Sequence, residues 1–179
     1  SNYTYEHIFI DNYSTDNTLL KLKNIASVDK NVKIIVNARN FGHIKSPYYG
    51  MLQADGDVVI SLVSDLQDPP ELIPDFIKKW EEGYKIVVGV KEKSEENIIM
   101  FSIRKLFYKV IDRISDTSQI QNFTGFGLYD RQFMEVLRNI QEPYPYFRGL
   151  VSELGFSICQ LPYLQPKRLK GNTKNNFFM

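Results

Sequence analysis

Apolar residues fall into short, β-branched runs that alternate with segments patterned at helical spacing. The runs are "HIFID" (7–11), "VKIIV" (32–36), "DVVISLV" (57–63) and "YKIVVGV" (84–90). They are nearly continuous in apolar character, as in strands buried on both faces of a mostly parallel sheet. Helical patterns lie between them at 15–27, 46–55 and 69–82. Alternation of this kind predicts an open α/β sheet with right-handed crossovers.

After residue 97 the pattern changes. "KEKSEEN" (91–97) is a charged, solvated loop, and 98–115 predicts one amphipathic helix. Its Ile99, Ile103, Leu106, Phe107, Val110 and Ile114 share a face, with Arg104, Lys105, Lys109 and Arg113 off that stripe. "FTGFGLYD" (123–130) reads as a glycine-rich strand followed by a helix at 130–140. A further helix in 147–155 and a strand in 156–163 complete the pattern.

Composition changes this picture little. At 43% hydrophobic and 24% charged, 179 residues make one globular domain with a real core. A net charge of +1 gives no field for nucleic acid, so any anion site must be local. The single cysteine, Cys159, excludes an internal disulfide framework and reads as a small buried residue. No apolar run reaches the ~20 residues that span a bilayer. His7 and His43 stand alone, without metal-ligand spacing.

Ligands of open α/β sheets sit beyond the carboxyl ends of the strands. The first strand ends in "DNYSTDNT" with Asp11, the second runs into "NARNFGH" with Arg39 and Gly42, and the third runs into "SDLQDPP" with Asp65 and Gln67. Asp68 precedes Pro69, with Glu71 three residues on, and so predicts a helix cap. Asp65 and Gln67 gain nothing from that cap. They are either turn formers or hard oxygen ligands for Mg²⁺ or Mn²⁺ against a diphosphate. Ser14 and Thr15 read first as a helix start, which could also receive a phosphate.

"IDNYSTDNT", "ARNFGH", "SDLQDPPELI", "KKWEEGYKIVVGV", "LFYKVIDRIS", "FTGFGLYDR" and "FRGL" occur in an order that resembles family 2 glycosyltransferases of GT-A fold. The likeness is to the polyprenyl-phosphate type, including dolichol-phosphate mannose synthase and bacterial undecaprenyl-phosphate enzymes, and covers roughly residues 6–178. It implies a GT-A mostly parallel sheet flanked by helices, a nucleotide-sugar donor, Mg²⁺ or Mn²⁺, a polyprenyl phosphate acceptor and inversion at the anomeric carbon. By position, Asp11 would contact base or ribose, Arg39 would lie near the base, and Gly42 belongs to the same donor segment. Asp65 would be the second acid of a D-x-D metal motif, assisted by Gln67. "RLKGNTKNNF" resembles the R-x-x-G-x-S/T-K segment, which would put Arg168, Thr173 and Lys174, with Arg104, at the acceptor phosphate.

The departures carry information. "DDGS" becomes "DNYS", the first acid of D-x-D becomes Val63, and a family arginine becomes Gly127 in "TGFG". Lys91 stands where many relatives have arginine, and the family's opening strand with its P-x-Y-N-E motif is absent. Both ends therefore read as cut, leaving one catalytic domain with an open sheet edge for a second copy. A hydroxyl acceptor needs a general base, whereas a lipid phosphate is already anionic, so losing an acid of the family pattern near Gly125 fits a phosphate acceptor and no general base is expected. Inverting transfer from a nucleotide-sugar, UDP-linked by preference, to an undecaprenyl-type phosphate at the cytoplasmic membrane face is the expected function. The alternative is a GT-A module that binds nucleotide-sugar or lipid phosphate without turnover. The cations of 98–115 are expected to meet a membrane surface, each contributing about 1 kcal/mol near anionic lipid. A dinucleotide-binding enzyme ranks last, because "DNYSTD" has no glycine for a G-x-G-x-x-G turn.

Overall fold

The computed structural model describes residues 3–92, 119–140 and 144–166. The expected helix at 98–115, and with it Arg104, lies outside the described residues, as do Arg168, Thr173 and Lys174. In chain order the elements are β1 (His7–Asp11), α1 (Thr18–Val28), β2 (Val32–Val36), α2 (Gly42–Leu52), β3 (Val58–Ser61), a 3-10 turn (Pro70–Leu72), α3 (Ile73–Glu81), β4 (Ile86–Lys91), β5 (Phe123–Asp130), α4 (Arg131–Asn139), α5 (Phe147–Glu153) and β6 (Ile158–Tyr163). The chain forms two compact units, Ser1–Val59 with Asp130–Phe147 and Ile60–Tyr129 with Arg148–Met179.

In the first unit β1 and β2 pair in parallel, from His7 opposite Val32 to Asp11 opposite Val36. Gly50 of α2 lets that helix approach β1, since a Cβ there would collide with the Ile10 side chain. Phe133, Met134 and Leu137 of α4 are fully or almost fully buried, and the Phe133 and Tyr48 rings both meet Phe147 edge-on. Asp130 caps α4 by accepting the Gln132 N–H at 2.9 Å. The Arg138 Nε donates to the Leu52 carbonyl at the end of α2.

The second unit is built on a sheet of order β3-β5-β4-β6. β4 runs antiparallel to β5 and parallel to β6, so Ile86, Val87 and Val88 have neighbours on both edges and no exposed surface. Phe76 of α3 packs on Phe126 at 4.9 Å, and Phe126 meets Tyr163 edge-on at 5.5 Å. Gly127 lies opposite Val88, where a Cβ would come 2.5 Å from the Val87 carbonyl oxygen.

The α/β class is as expected, with strands in two sheets and an antiparallel β5 between β3 and β4. An apolar run carries no sign of strand direction, so that placement was not readable. α2 starts at Gly42 rather than near 46 and carries Pro47 inside the helix. Its start is set by side-chain bonds to the Gly42 backbone rather than by the proline. β3 stops at Ser61, short of the expected 63, and the helix expected from 69 begins as the 3-10 turn, with α3 proper from Ile73.

Candidate functional site

Two polar clusters carry the residues of interest, one in each unit. In the first, β1 delivers Asp11 to the strand end, 3% exposed. Its Oδ2 accepts the Ser14 N–H at 3.4 Å, while Oδ1 is buried with no hydrogen-bond partner among the described residues. Burying a carboxylate oxygen without a donor is unfavourable. Such an atom calls for a donor from outside the chain, whether water, an ion or a ligand group.

Next to it, Asn12 ties β1 to the start of α2. Its Oδ1 accepts the Phe41 N–H at 2.9 Å and the Asn37 Nδ2 at 3.0 Å, and its Nδ2 donates to the Asn40 Oδ1 and the Gly42 carbonyl. Gly42 has φ +82, a conformation that suits glycine. Tyr13, at the place of a family glycine, also adopts positive φ, at 68. Arg39 is exposed, with its guanidinium carbon 4.3 Å from the centre of the Phe41 ring. A hollow of about 330 Å³ opens between the first turn of α2 and Tyr144–Tyr146, where the Lys45 ammonium sits 3.4 Å over the Tyr144 ring.

In the second unit, Asp65 lies beyond β3 in a turn. Its Oδ1 accepts the Gln67 N–H at 3.1 Å, and Leu66 between them takes φ 60. Asp68 is not the cap of a helix: the 3-10 turn follows Pro69 and α3 follows Leu72, both without side-chain caps. The Asp68 carboxylate, 3% exposed, accepts the Val63 N–H at 3.3 Å and the Tyr163 hydroxyl at 3.0 Å. Burial pushes its carboxyl above the usual range, opposed by those two hydrogen bonds and the Lys91 charge. Burial lowers the Lys91 ammonium, while Asp68 and Asp65 raise it. Burial and the Asp68 charge together push the Tyr163 phenol well up.

Asp11, Arg39 and Gly42 thus belong to the first unit, and Asp65 and Gln67 to the second. Ser14 and Thr15 do not start α1; it begins at Thr18, whose N–H is accepted by Asp16 Oδ1. Sequence reasoning missed Asn12 as a structural hub and Asp68 as a buried partner of Tyr163. The four asparagines at 12, 17, 37 and 40, clustered after two strands, were a signal for the first. Nothing local signals the second.

Among the described residues no three His, Cys, Asp or Glu side chains gather as a metal-binding group. The donors at 65–68 are a half-buried carboxylate, an amide, and a second carboxylate engaged by Val63 and Tyr163. That set fits a hard cation such as Mg²⁺ or Mn²⁺, which takes one or two carboxylates and fills its shell with phosphate and water. Among the described residues no helix is long and apolar enough to cross a membrane.

The description Glycosyl transferase family 2 matches residues 1–139. An uncharacterized glycosyltransferase of Bacillus subtilis, YkcC, is 36% identical over 95% of this chain and 53% of its own length. A prophage bactoprenol glucosyl transferase homolog of Escherichia coli and the bactoprenol glucosyl transferase of Shigella phage SfV are each 30% identical, over 97% of this chain and 57% of theirs. The chain therefore spans about half the length of these relatives. The structure of S. aureus TarS 1-349 matches with a TM-score of 0.50 at 17% identity, over 87% of this chain and 48% of that one, a likeness of fold. With the family match covering most of the chain, the fold is GT-A and the chain belongs to glycosyl transferase family 2.

Proposed function

We propose that these residues form the donor-binding catalytic domain of an inverting glycosyltransferase that passes a sugar from a UDP-sugar to an undecaprenyl-type phosphate at the cytoplasmic membrane face. The observation that carries the donor reading is the orphaned Oδ1 of buried Asp11 at the end of β1, a ready acceptor for a ribose hydroxyl or base N–H. Arg39 over Phe41, with the aromatic hollow at the start of α2, offers the flat apolar faces and cation that suit a base. The acceptor is supported by relatives named for bactoprenol.

In this reading an acceptor phosphate oxygen attacks the anomeric carbon from the face opposite the nucleotide. The bond from that carbon to the diphosphate oxygen breaks, and the nucleoside diphosphate leaves with the electron pair. A phosphate monoester carries ~1.5 to 2 negative charges at pH 7, so no side chain need remove a proton. Asp65, assisted by Gln67, would hold Mg²⁺ or Mn²⁺, which when bound offsets the charge of the departing diphosphate. Lys91, within electrostatic reach of Asp65, adds a cation on the same side. Arg104, Arg168, Thr173 and Lys174 are proposed for the acceptor phosphate, and the basic residues of 98–115 for the membrane surface.

A second reading has a specific observation behind it. Val63 replaces one acid of the metal motif and Asp68 is engaged by protein donors, leaving Asp65 to act alone, as in a module that binds without turnover. One experiment separates the two: radiolabelled UDP-glucose, undecaprenyl phosphate and Mn²⁺, with Asp65→Asn alongside. Lipid-linked sugar from the parent and none from Asp65→Asn supports transfer. Mn²⁺-dependent UDP binding without product supports the module. Metal-dependent binding that survives Asp65→Asn overturns the metal assignment.

A further inference from the structure

We propose that Asp68 and Tyr163 act as a positioning pair, fastening the turn that carries Asp65 to the end of β6. The turn is closed on itself by two bonds, Val63 N–H to Asp68 Oδ2 and Gln67 N–H to Asp65 Oδ1. Leu66, held at φ 60 inside it, is a conformation that persists where surrounding bonds enforce it. The Tyr163 hydroxyl on Asp68 Oδ1 ties this closed turn to the sheet, across 95 residues of chain.

Tyr163 is itself a fixed anchor. It ends β6 opposite Lys91 of β4, and its carbonyl accepts the Glu92 N–H at 2.9 Å. The residue is 5% exposed and its ring lies against Phe126. Gly89 makes the room: a Cβ there would come 2.6 Å from the Phe126 ring and 3.1 Å from the Tyr163 ring. A buried carboxylate with one oxygen on the turn and the other on a rigid strand transmits the strand's position to the turn. Lys91 offsets the buried charge that this arrangement requires.

The consequence for metal binding rests on the reading of Asp65 given above, and the test keeps the two apart. In Tyr163→Phe the ring remains and only the hydroxyl goes. Hydrogen exchange of the segment 62–68, followed by mass spectrometry in the metal-free full chain, is expected to speed up about tenfold, the usual scale for one hydrogen bond to a buried charge. Mn²⁺ affinity in the presence of UDP should weaken by about the same factor in protein that is still folded. A merely stabilising bond would lower the melting temperature and leave that affinity alone. Asp68→Ala removes the acceptor of both the Val63 N–H and the Tyr163 hydroxyl, and should speed exchange and weaken Mn²⁺ binding at least as much as Tyr163→Phe; this variant carries the test if Tyr163→Phe fails to fold. Unchanged exchange in the folded variant overturns the positioning pair whatever the metal does. Faster exchange with unchanged Mn²⁺ affinity, while Asp65→Asn abolishes binding, overturns the link to Asp65. Mn²⁺–UDP binding that Asp65→Asn leaves intact, or that is missing from the parent, removes the metal reading and this link with it.

Discussion

A buried carboxylate oxygen with no donor is expensive, and Asp11 keeps one at the end of β1. In the donor-site proposal, that partner arrives with the nucleotide. Asp11→Asn is therefore expected to leave the melting temperature unchanged or higher, and to weaken UDP binding about tenfold, the scale of one charge-assisted hydrogen bond. A calorimetric titration and a thermal melt check this together; a large fall in melting temperature with unchanged affinity would make Asp11 a structural residue. Asp11 was legible in the sequence because its place follows from the strand end alone. Asp68 was not. Its neighbours Pro69 and Glu71 spell a cap, and the residue that engages it, Tyr163, lies 95 positions away. Local chemistry predicts local partners, and a long-range hydroxyl overrides them.

Elements were read more securely than their ends. The runs at 7–11, 32–36 and 84–90 became β1, β2 and β4. Burial on both faces holds for β4 from Ile86 to Gly89, whereas β1 and β2 are mostly half-buried. The start of α2 was misplaced because Asn12 and Asn40, rather than a cap residue next to the helix, hold its first turn. β5 shows what a glycine does inside an element. Gly127 looked like a lost arginine, yet any side chain there meets the β4 backbone, with the Val87 carbonyl oxygen 2.5 Å from a Cβ and the Val88 Cα at 3.1 Å. Backbone cannot step aside as a side-chain tip can. Gly127→Ala is expected to cost about 3 kcal/mol, the upper end for overpacking, read as a lower urea midpoint at unchanged slope. A shift under about 0.5 kcal/mol, the range of neutral surface changes, would mean β4 and β5 can separate freely.

Over the whole molecule, neither unit is a single stretch of chain. Residues 1–59 are completed by 130–147, and 60–129 by 148–179. The family likeness was legible at this scale because ordered motifs survive where single residues drift, but the interleaving was not, since periodicity says nothing of which distant segments meet. It has a consequence for pieces of the chain. β4 pairs on one edge with β5 and on the other with β6, Ile86 lying opposite both Tyr129 and Ile158. Both neighbours lie after residue 119, so residues 1–92 alone would expose the edges of a strand whose Ile86, Val87 and Val88 are fully buried in the 179-residue chain. They would also lack Phe133 and Leu137 of α4, which fill the core of the first unit. Open apolar edges pair with other chains. A 1–92 fragment is therefore expected to bind a hydrophobic dye, to aggregate, and to melt without a cooperative transition. The 179-residue chain should melt cooperatively, and should fold slowly for its size, because its central pairing joins residues far apart in sequence. A monomeric 1–92 fragment with a sharp melt would show that β4 does not depend on β5 and β6, and the four-stranded arrangement would have to be given up.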